Sequence, residues 1–565
     1  MTQNVFLPAG IHAWFNVHVP MRDGINLSAD IYLPKDRSKP LPVILSRTPY
    51  NNDEDRFVDP CIFFAQQGYI AVAQDLRGRY DSEGQFYPWV NEYNDGFDTI
   101  EWIGSQSWCD GNVGMIGGSY VGNVQWQAAT MGSSYLKAII PRVIGDDLYG
   151  SPHYQGGAFQ LGWSATWAFR MAGRTAQNID KFNWDQLFLT LPLKSLPEAG
   201  GKDIPYFLDW VSHPVYDDYW KKLAIKERYG DVKIPVLQVG GWYDFFTDGT
   251  FRNFVGMRAR GGSELARNNQ RAIVGPWVHA ASIETHAGEM DFGKASVLDL
   301  NGAELRWFDH WLKGVPNGAD EDPPLQIFVM GINRWREEHE WPLARTEFTP
   351  YYLHSGGSAN SLLGDGELST QPPVDEPPEA FTYNPAFPTP TRGGNNCCNP
   401  EIVPWGAYDQ RSIEFRNDVL VYTSAPMEDD LEITGPVTAK VYASTDGRDT
   451  DFTAKLVDVH PDGYAVNLCD GIVRGRYRKS TSTQELLEPG TIYEFTIDLW
   501  PTSNVFLAGH RIRLDIASAN FPRFDRNPNT GNVFGEDADL RVARQRVYHD
   551  RAYASHVILP VIPGI

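Results

Sequence analysis

Asn112-Val113-Gly114-Met115-Ile116-Gly117-Gly118-Ser119-Tyr120-Val121-Gly122 joins a short apolar run to a helical pattern through a serine set among glycines. A serine on such a strand-to-helix turn holds a strained backbone, and side chains beside it would collide with it or with the adjoining strands. This is the local requirement of a nucleophile elbow. The simple pattern G-x-S-x-G misses by one position, because Val121 stands two after Ser119 and the glycine follows at Gly122. A Gly-Gly-Ser turn at a strand end also serves structure alone, so the flanking chain has to decide.

Working outward, residues 42–45, 69–73, 113–116 and 138–140 read as buried strands, and 60–67, 94–103 and 120–131 carry helical periodicity. That alternation predicts a doubly wound α/β unit, a mostly parallel sheet covered by helices. The pattern lapses from about Asp147 to Val232, where Trp163, Trp167, Phe169, Trp184, Trp210 and Trp220 sit among polar residues, Pro and Gly; this reads as a mainly helical insertion. It resumes with strands at 236–239 and 272–274 and an amphipathic helix over 302–313. From about Pro350, alternation at period two over 437–443, 493–499 and 511–517, broken by Asp462-Gly463 and Pro489-Gly490, predicts a β-sandwich or jelly roll. The expected organisation is an α/β-hydrolase core at 1–147 and 233–345, a helical cap at 148–232 and a jelly-roll β-sandwich at 346–565, with 371–400 as a long ordered loop or linker.

Two later strands supply partners for Ser119. Val236-Leu237-Gln238-Val239-Gly240-Gly241-Trp242-Tyr243-Asp244 puts a carboxylate just past a strand's C-terminal end, and Ala272-Ile273-Val274-Gly275-Pro276-Trp277-Val278-His279 does the same for an imidazole. Serine, acid, histidine is the chain order of α/β-hydrolases, and loops at the carboxyl ends of parallel strands converge. The nearest rivals are Asp248 and His286, which lie further beyond their strands, and His153, which lies in the insertion.

With 71 acidic and 49 basic residues the net charge is -22, a surface that repels nucleic acid and anionic lipid. Neither partner is expected. The stretch 1–20 has no basic region followed by an apolar run, and no segment approaches the roughly 18 apolar residues of a membrane span. Five cysteines, two of them adjacent as Cys397-Cys398, make neither a disulfide framework nor a spaced zinc set, so small buried or loop thiols in a reduced, cytoplasmic setting are expected.

These residues resemble the cocaine esterases, α-amino-acid ester hydrolases and X-Pro dipeptidyl peptidases over nearly the whole chain. The resemblance is carried by Arg47-Thr48-Pro49-Tyr50, Asp75-Leu76-Arg77-Gly78, Gly117-Gly118-Ser119-Tyr120-Val121-Gly122, Gly241-Trp242-Tyr243-Asp244, Gly275-Pro276-Trp277-Val278-His279 and Arg306-Trp307-Phe308-Asp309-His310-Trp311-Leu312. In the last third, Asp449-Thr450-Asp451-Phe452, Gly509-His510-Arg511-Ile512-Arg513 and Asn520-Phe521-Pro522-Arg523-Phe524 are similar to the family's jelly-roll signatures.

The resemblance implies the elbow form G-x-S-Y-x-G, which Gly122 satisfies, and an oxyanion hole made by the Tyr50 hydroxyl and the Tyr120 N–H. It implies acyl transfer without metal or organic cofactor, on a small-molecule ester or amide, in a chain of a kind that forms homo-oligomers. Candidate substrate contacts are Asp147, Trp163, Trp167 and, beside the acid, Phe245. In the α-amino-acid ester hydrolases a carboxylate cluster, partly two and three residues after the acid, grips the substrate ammonium; here those positions are Phe246 and Thr247. A carboxylic ester with a neutral or aromatic acyl group is therefore expected ahead of an amidase, peptidase or β-lactam acylase. A carbohydrate-binding protein with an inert α/β scaffold is the remote alternative, against which the ordered serine, acid, histidine and hydroxyl weigh.

Overall fold

The structure, a computed structural model, describes residues 7–279 and 284–564. Its first half is built on ten strands: β1 (Ile11–Pro20), β2 (Asn26–Pro34), β3 (Leu41–Thr48), β4 (Ile70–Asp75), β5 (Cys109–Gly118), β6 (Leu136–Arg142), β7 (Val236–Gly241), β8 (Gln270–Gly275), β9 (Leu325–Val329) and β10 (Arg334–Glu338). They form one sheet in the order β1-β2-β4-β3-β5-β6-β7-β8-β9-β10. The run from β4 to β9 is parallel, and the pairs at either edge are antiparallel. The parallel strands are covered on both faces, and β4 and β7 are buried at every residue, which is why they read as unbroken apolar runs.

Helices α1 (Asp55–Gln66), α2 (Glu92–Gly104) and α3 (Tyr120–Ala129) follow β3, β4 and β5. On one face Phe57, Cys61 and Phe64 of α1 pack with Trp307, Phe308 and Leu312 of the late helix Leu300–Lys313 against Ile116, Ile140 and Leu237. On the other, Ile100, Val124 and Trp126 join a core continuous with the insertion.

The insertion is less helical than its sequence suggests. Only the helices Leu161–Met171 and Pro205–Ser212 exceed five residues; the other helical pieces are turns of three to five residues punctuated by prolines such as Pro192 and Pro197, and Tyr154–Gln155 pairs with Ala158–Phe159 as a short antiparallel ribbon. Proline removes a backbone donor and clashes with the preceding turn, so longer helices cannot propagate there. Burial of Trp163, Trp167, Phe169, Trp210 and Trp220 holds the segment instead.

Eleven strands from Glu347–His354 to His556–Ile562 form a second, almost wholly antiparallel sheet system. Its long strand Leu431–Thr445 pairs with Tyr493–Phe506 on one side and with two later strands on the other, and the system folds over an apolar interior of Val437, Val441, Phe452, Leu456, Phe495 and Leu514. That interior is continuous with Trp242, Val274 and Ile327 of the first sheet, so the two halves share a core.

Beyond β7 and β8 the chain is stitched across: Trp242 N–H donates to the Gly275 carbonyl (2.8 Å) and Tyr243 N–H to the Trp277 carbonyl (3.0 Å). A β-carbon at Gly241 would stand 2.2 Å from that Trp277 carbonyl oxygen, a contact real side chains do not make. Gly241→Ala is therefore expected to destabilise the protein by about 1–3 kcal/mol. Denaturant unfolding checks this, and an unchanged midpoint would show that the loops separate without cost.

Candidate active site

Ser119 lies between β5 and α3 with φ 60° and ψ −128°, outside the regions that an L-residue prefers. Its N–H donates to the Arg142 carbonyl of β6 (2.9 Å), and its carbonyl accepts from Gly122 and Asn123. Gly117 has φ +138°, and a β-carbon there would stand 2.2 Å from Val121 Cγ1. One at Gly122 would stand 2.9 Å from the Arg142 carbonyl oxygen. The misfit to the simple pattern thus has a steric origin. Val121 fills the space left bare at Gly117, and the close approach to β6 falls on position 122.

His279 and Asp244 meet at the carboxyl ends of β8 and β7: His279 Nδ1 lies 2.9 Å from Asp244 Oδ1, with Asp244 fully buried. Thr247 closes the acid's turn by donating its hydroxyl to the Gly241 and Asp244 carbonyls. Phe245 and Phe246 pack on the imidazole with ring centroids at 5.1 and 5.8 Å. His279 Nε2 is buried and has no hydrogen-bond partner among the described residues. Ser119 and His279 line the same cavity, of about 650 Å³.

Tyr50 opens into this cavity two residues past β3. Its hydroxyl oxygen accepts from Trp167 Nε1 (3.0 Å), which leaves its own O–H free to donate. Burial pushes the phenol up from its ordinary pKa, keeping it protonated. The loop is held from below, since Arg79 Nε donates to the Pro49 carbonyl (2.8 Å) and Asp75 Oδ1 accepts from Asn52 N–H (2.9 Å). Tyr120 offers its backbone N–H at the first position of α3, where no intrahelical acceptor exists. Its side chain is buried in a run of rings with Trp89 (5.2 Å) and Trp167 (5.9 Å), continued by Trp163 and Phe245.

Of the expected substrate contacts, Trp167 lines the cavity. Trp163 and Phe245 stand behind Trp167 and His279, as a wall that fixes them and not as cavity surface. Asp147 is placed elsewhere: it is buried, ion-paired to Lys226 Nζ and hydrogen-bonded to Gly150 N–H, outside the cavity lining. The rivals are also accounted for. Asp248 pairs with Arg252, His286 is 57 % exposed, and His153 is fully buried among Trp163, Trp210 and Trp220, where burial pulls its pKa well down.

Three features escape sequence reading. Asn395, in the long loop of the C-terminal half, donates through Nδ2 to the carbonyls of Trp242 (2.8 Å) and Asp244 (2.9 Å). Cys398 and Trp405 of the same loop line the cavity. Cys397 and Cys398, expected as separate thiols, are joined as a disulfide between neighbouring residues, with Cys398 at φ 81°.

The sheet, the elbow and the chain order define the class as a serine hydrolase of α/β fold. Residues 23–281 match the family described as X-Pro dipeptidyl-peptidase (S15 family), and residues 317–558 match the X-Pro dipeptidyl-peptidase C-terminal non-catalytic domain. The chain is 41 % identical to the cocaine esterase of Rhodococcus sp. (strain MB1 Bresler), across 97 % of this chain and 98 % of that one. Among solved structures it is similar to an aminopeptidase of a marine sediment Thaumarchaeota archaeon (TM-score 0.86, 26 % identity, 99 % and 98 % coverage). It is equally similar to an α-amino acid ester hydrolase (TM-score 0.85, 28 % identity, 99 % of each chain). The chain belongs to the cocaine esterase family of X-Pro dipeptidyl-peptidase-like serine hydrolases.

Beneath the elbow, the Tyr120 hydroxyl accepts from Trp89 N–H (2.6 Å) and donates to the buried Glu92 carboxylate (3.3 Å). Burial pushes Glu92 up to about 7 against the pull of Arg47. With the folded value above the ordinary 4.5, the native state holds the extra proton, so this group's contribution is full below about pH 4.5 and is lost as pH rises through about 7. Glu92→Gln, which cannot ionise, is expected to melt progressively higher relative to the parent as pH climbs through that window. A pH-independent difference in melting temperature would show that Glu92 ionises normally.

Proposed function

We propose that Ser119 is the nucleophile, His279 its general base and Asp244 the residue that orients the imidazole. The observation that carries this reading is the His279 Nδ1 to Asp244 Oδ1 contact of 2.9 Å, with Nε2 unpartnered among the described residues and His279 and Ser119 lining one cavity. His279 takes the Ser119 proton as Oγ attacks the carbonyl, and returns it to the leaving group. Water then hydrolyses the acyl-enzyme by the same route. The Tyr50 O–H and the Tyr120 N–H donate to the carbonyl oxygen as it gains charge, and the strained backbone of Ser119 presents Oγ and that N–H together. Residues 148–232 act as the cap, supplying Trp167 both as cavity wall and as the donor that orients Tyr50.

The substrate proposed is a carboxylic ester with a neutral or aromatic acyl group. The floor is apolar, with Ile44, Phe57, Phe64, Ile116 and Val121. Where an ammonium grip would stand, Phe246 packs on the base and Thr247 is used up inside the acid's turn. The carboxylates that reach the cavity are at its mouth: Glu54, already paired with Arg56 (2.7 Å), and the exposed Asp180. A cytoplasmic setting is proposed from the three remaining cysteines, Cys61, Cys109 and Cys469, all buried free thiols.

A fluorophosphonate is expected to label the parent protein and not Ser119→Ala, which folds normally and does not turn over p-nitrophenyl esters; labelling of the variant would reject Ser119. Tyr50→Phe is expected to lower kcat on the order of 10²-fold. An unchanged kcat in that variant would remove Tyr50 from the oxyanion hole. In a panel pairing acetyl, benzoyl and aminoacyl esters with their amides, the neutral esters are expected to be cleaved fastest, and faster cleavage of an aminoacyl compound would overturn the acyl-group assignment.

A further inference from the structure

Cys397 and Cys398 take no part in acyl transfer, yet they are held against its base. Their loop is clamped on three sides: by Asn395 on the Asp244 carbonyl, by Arg170 of the cap, which donates to Asn399 Oδ1 (3.0 Å), and by paired backbone bonds between Gly394 and Gly406 (2.7 and 2.9 Å). Cys397 is 3 % exposed, and Cys398 faces the cavity. A ring nitrogen of His279 and the Sγ atoms of both cysteines lie within 4.8 Å of one another. Nδ1 is engaged by Asp244, so Nε2, buried and unpartnered among the described residues, is the nitrogen available.

Two thiolates and an imidazole are the donor set of a borderline-soft, tetrahedral, zinc-class cation, which places ligand atoms about 3.5–3.8 Å apart at bond lengths of about 2.3 Å to sulfur and 2.0–2.1 Å to nitrogen. A ligating histidine almost always donates its other N–H to a carboxylate, a backbone carbonyl or water, which fixes tautomer and ring orientation. Asp244 already holds His279 in that way. Three protein ligands beside an open cavity leave the fourth position to water.

We propose that Cys397, Cys398 and His279, once the disulfide is reduced, form a binding site for a soft divalent cation such as Zn²⁺, and that occupancy silences the hydrolase by tying up the base. The disulfide takes two electrons and two protons from two thiols, which leave as their own disulfide. The cation then forms two bonds to sulfur and one to Nε2 as the two thiol protons are released. Silencing rests on His279 being the base; cation binding does not.

The test uses the full chain, oxidised or reduced with a phosphine that is then removed without air, and Co²⁺ as a spectroscopic stand-in for Zn²⁺. Reduced protein is expected to bind one Co²⁺ with a thiolate-to-cobalt charge-transfer band that Zn²⁺ displaces, and one equivalent of Zn²⁺ to cut hydrolysis on the order of tenfold or more until a chelator is added. Oxidised protein, and the Cys397→Ser and Cys398→Ser variants, are expected to show no such band and no change in rate on adding Zn²⁺. The proposal is overturned if reduced protein gives no band, or if the band persists in both variants; the comparison of oxidised with reduced parent stands even where a variant does not fold. Fluorophosphonate labelling of metal-free protein separates the two readings. Its failure there removes the triad while a cobalt band still establishes the site, and labelling that Zn²⁺ leaves unaltered in cobalt-binding protein removes the silencing.

Discussion

The close approach of β5 to β6 governs the rest of the site. Ser119 N–H reaches the Arg142 carbonyl because Gly122, where a β-carbon would stand 2.9 Å from that oxygen, carries no side chain, and that bond holds the serine at positive φ while Gly117 makes room for Val121. Backbone strain of this kind costs on the order of 1–3 kcal/mol and persists only where the surroundings over-determine it. Here the surroundings are a sheet buried on both faces, with α3 starting at the next residue, so one constraint fixes the serine oxygen, the Tyr120 N–H and the helix axis together.

The other side of the cavity is held by polar bonds made inside the protein. The acid's turn is closed by Thr247, its carbonyl is capped by Asn395, and the loop is sewn to the histidine's loop through Tyr243 and Trp277. A buried carbonyl left unpaired costs about 1–3 kcal/mol, so each of these bonds resists displacement of Asp244. The imidazole in turn is wedged by Phe245 and Phe246, which accept little motion because they pack on each other at 4.3 Å. The site is rigid because short-range polar bonds and ring packing converge on the same three loops.

What could be read in the sequence follows burial. The fully covered strands β4 and β7 show as apolar runs, so the fold class was legible, and Ser119, Asp244 and His279 could be picked out as candidates because they follow β5, β7 and β8 by a few residues. The edge strand β1 was not, because most of its residues face solvent and it carries little periodic signal. The insertion's aromatics announced a buried segment but not its geometry: Trp163 and Trp167, four residues apart on one helix, differ in that only one reaches the cavity. Asp147 looked available to a ligand because Lys226, its partner, is remote in sequence. Asn395 and Cys398 were illegible for the same reason, since nothing in a proline- and glycine-rich stretch records which distant loop it will touch.

That stretch alters how change in this chain should be understood. Residues 393–407 reach from the β-rich half to the acid, the cap and the cavity wall at once. The half that holds none of Ser119, Asp244 and His279 therefore lines part of the cavity that Ser119 and His279 share. Selectivity can drift through substitutions there while Ser119, Asp244 and His279 stay constant, and a hydrolase half grafted onto another partner would keep those residues without inheriting the same choice of substrate.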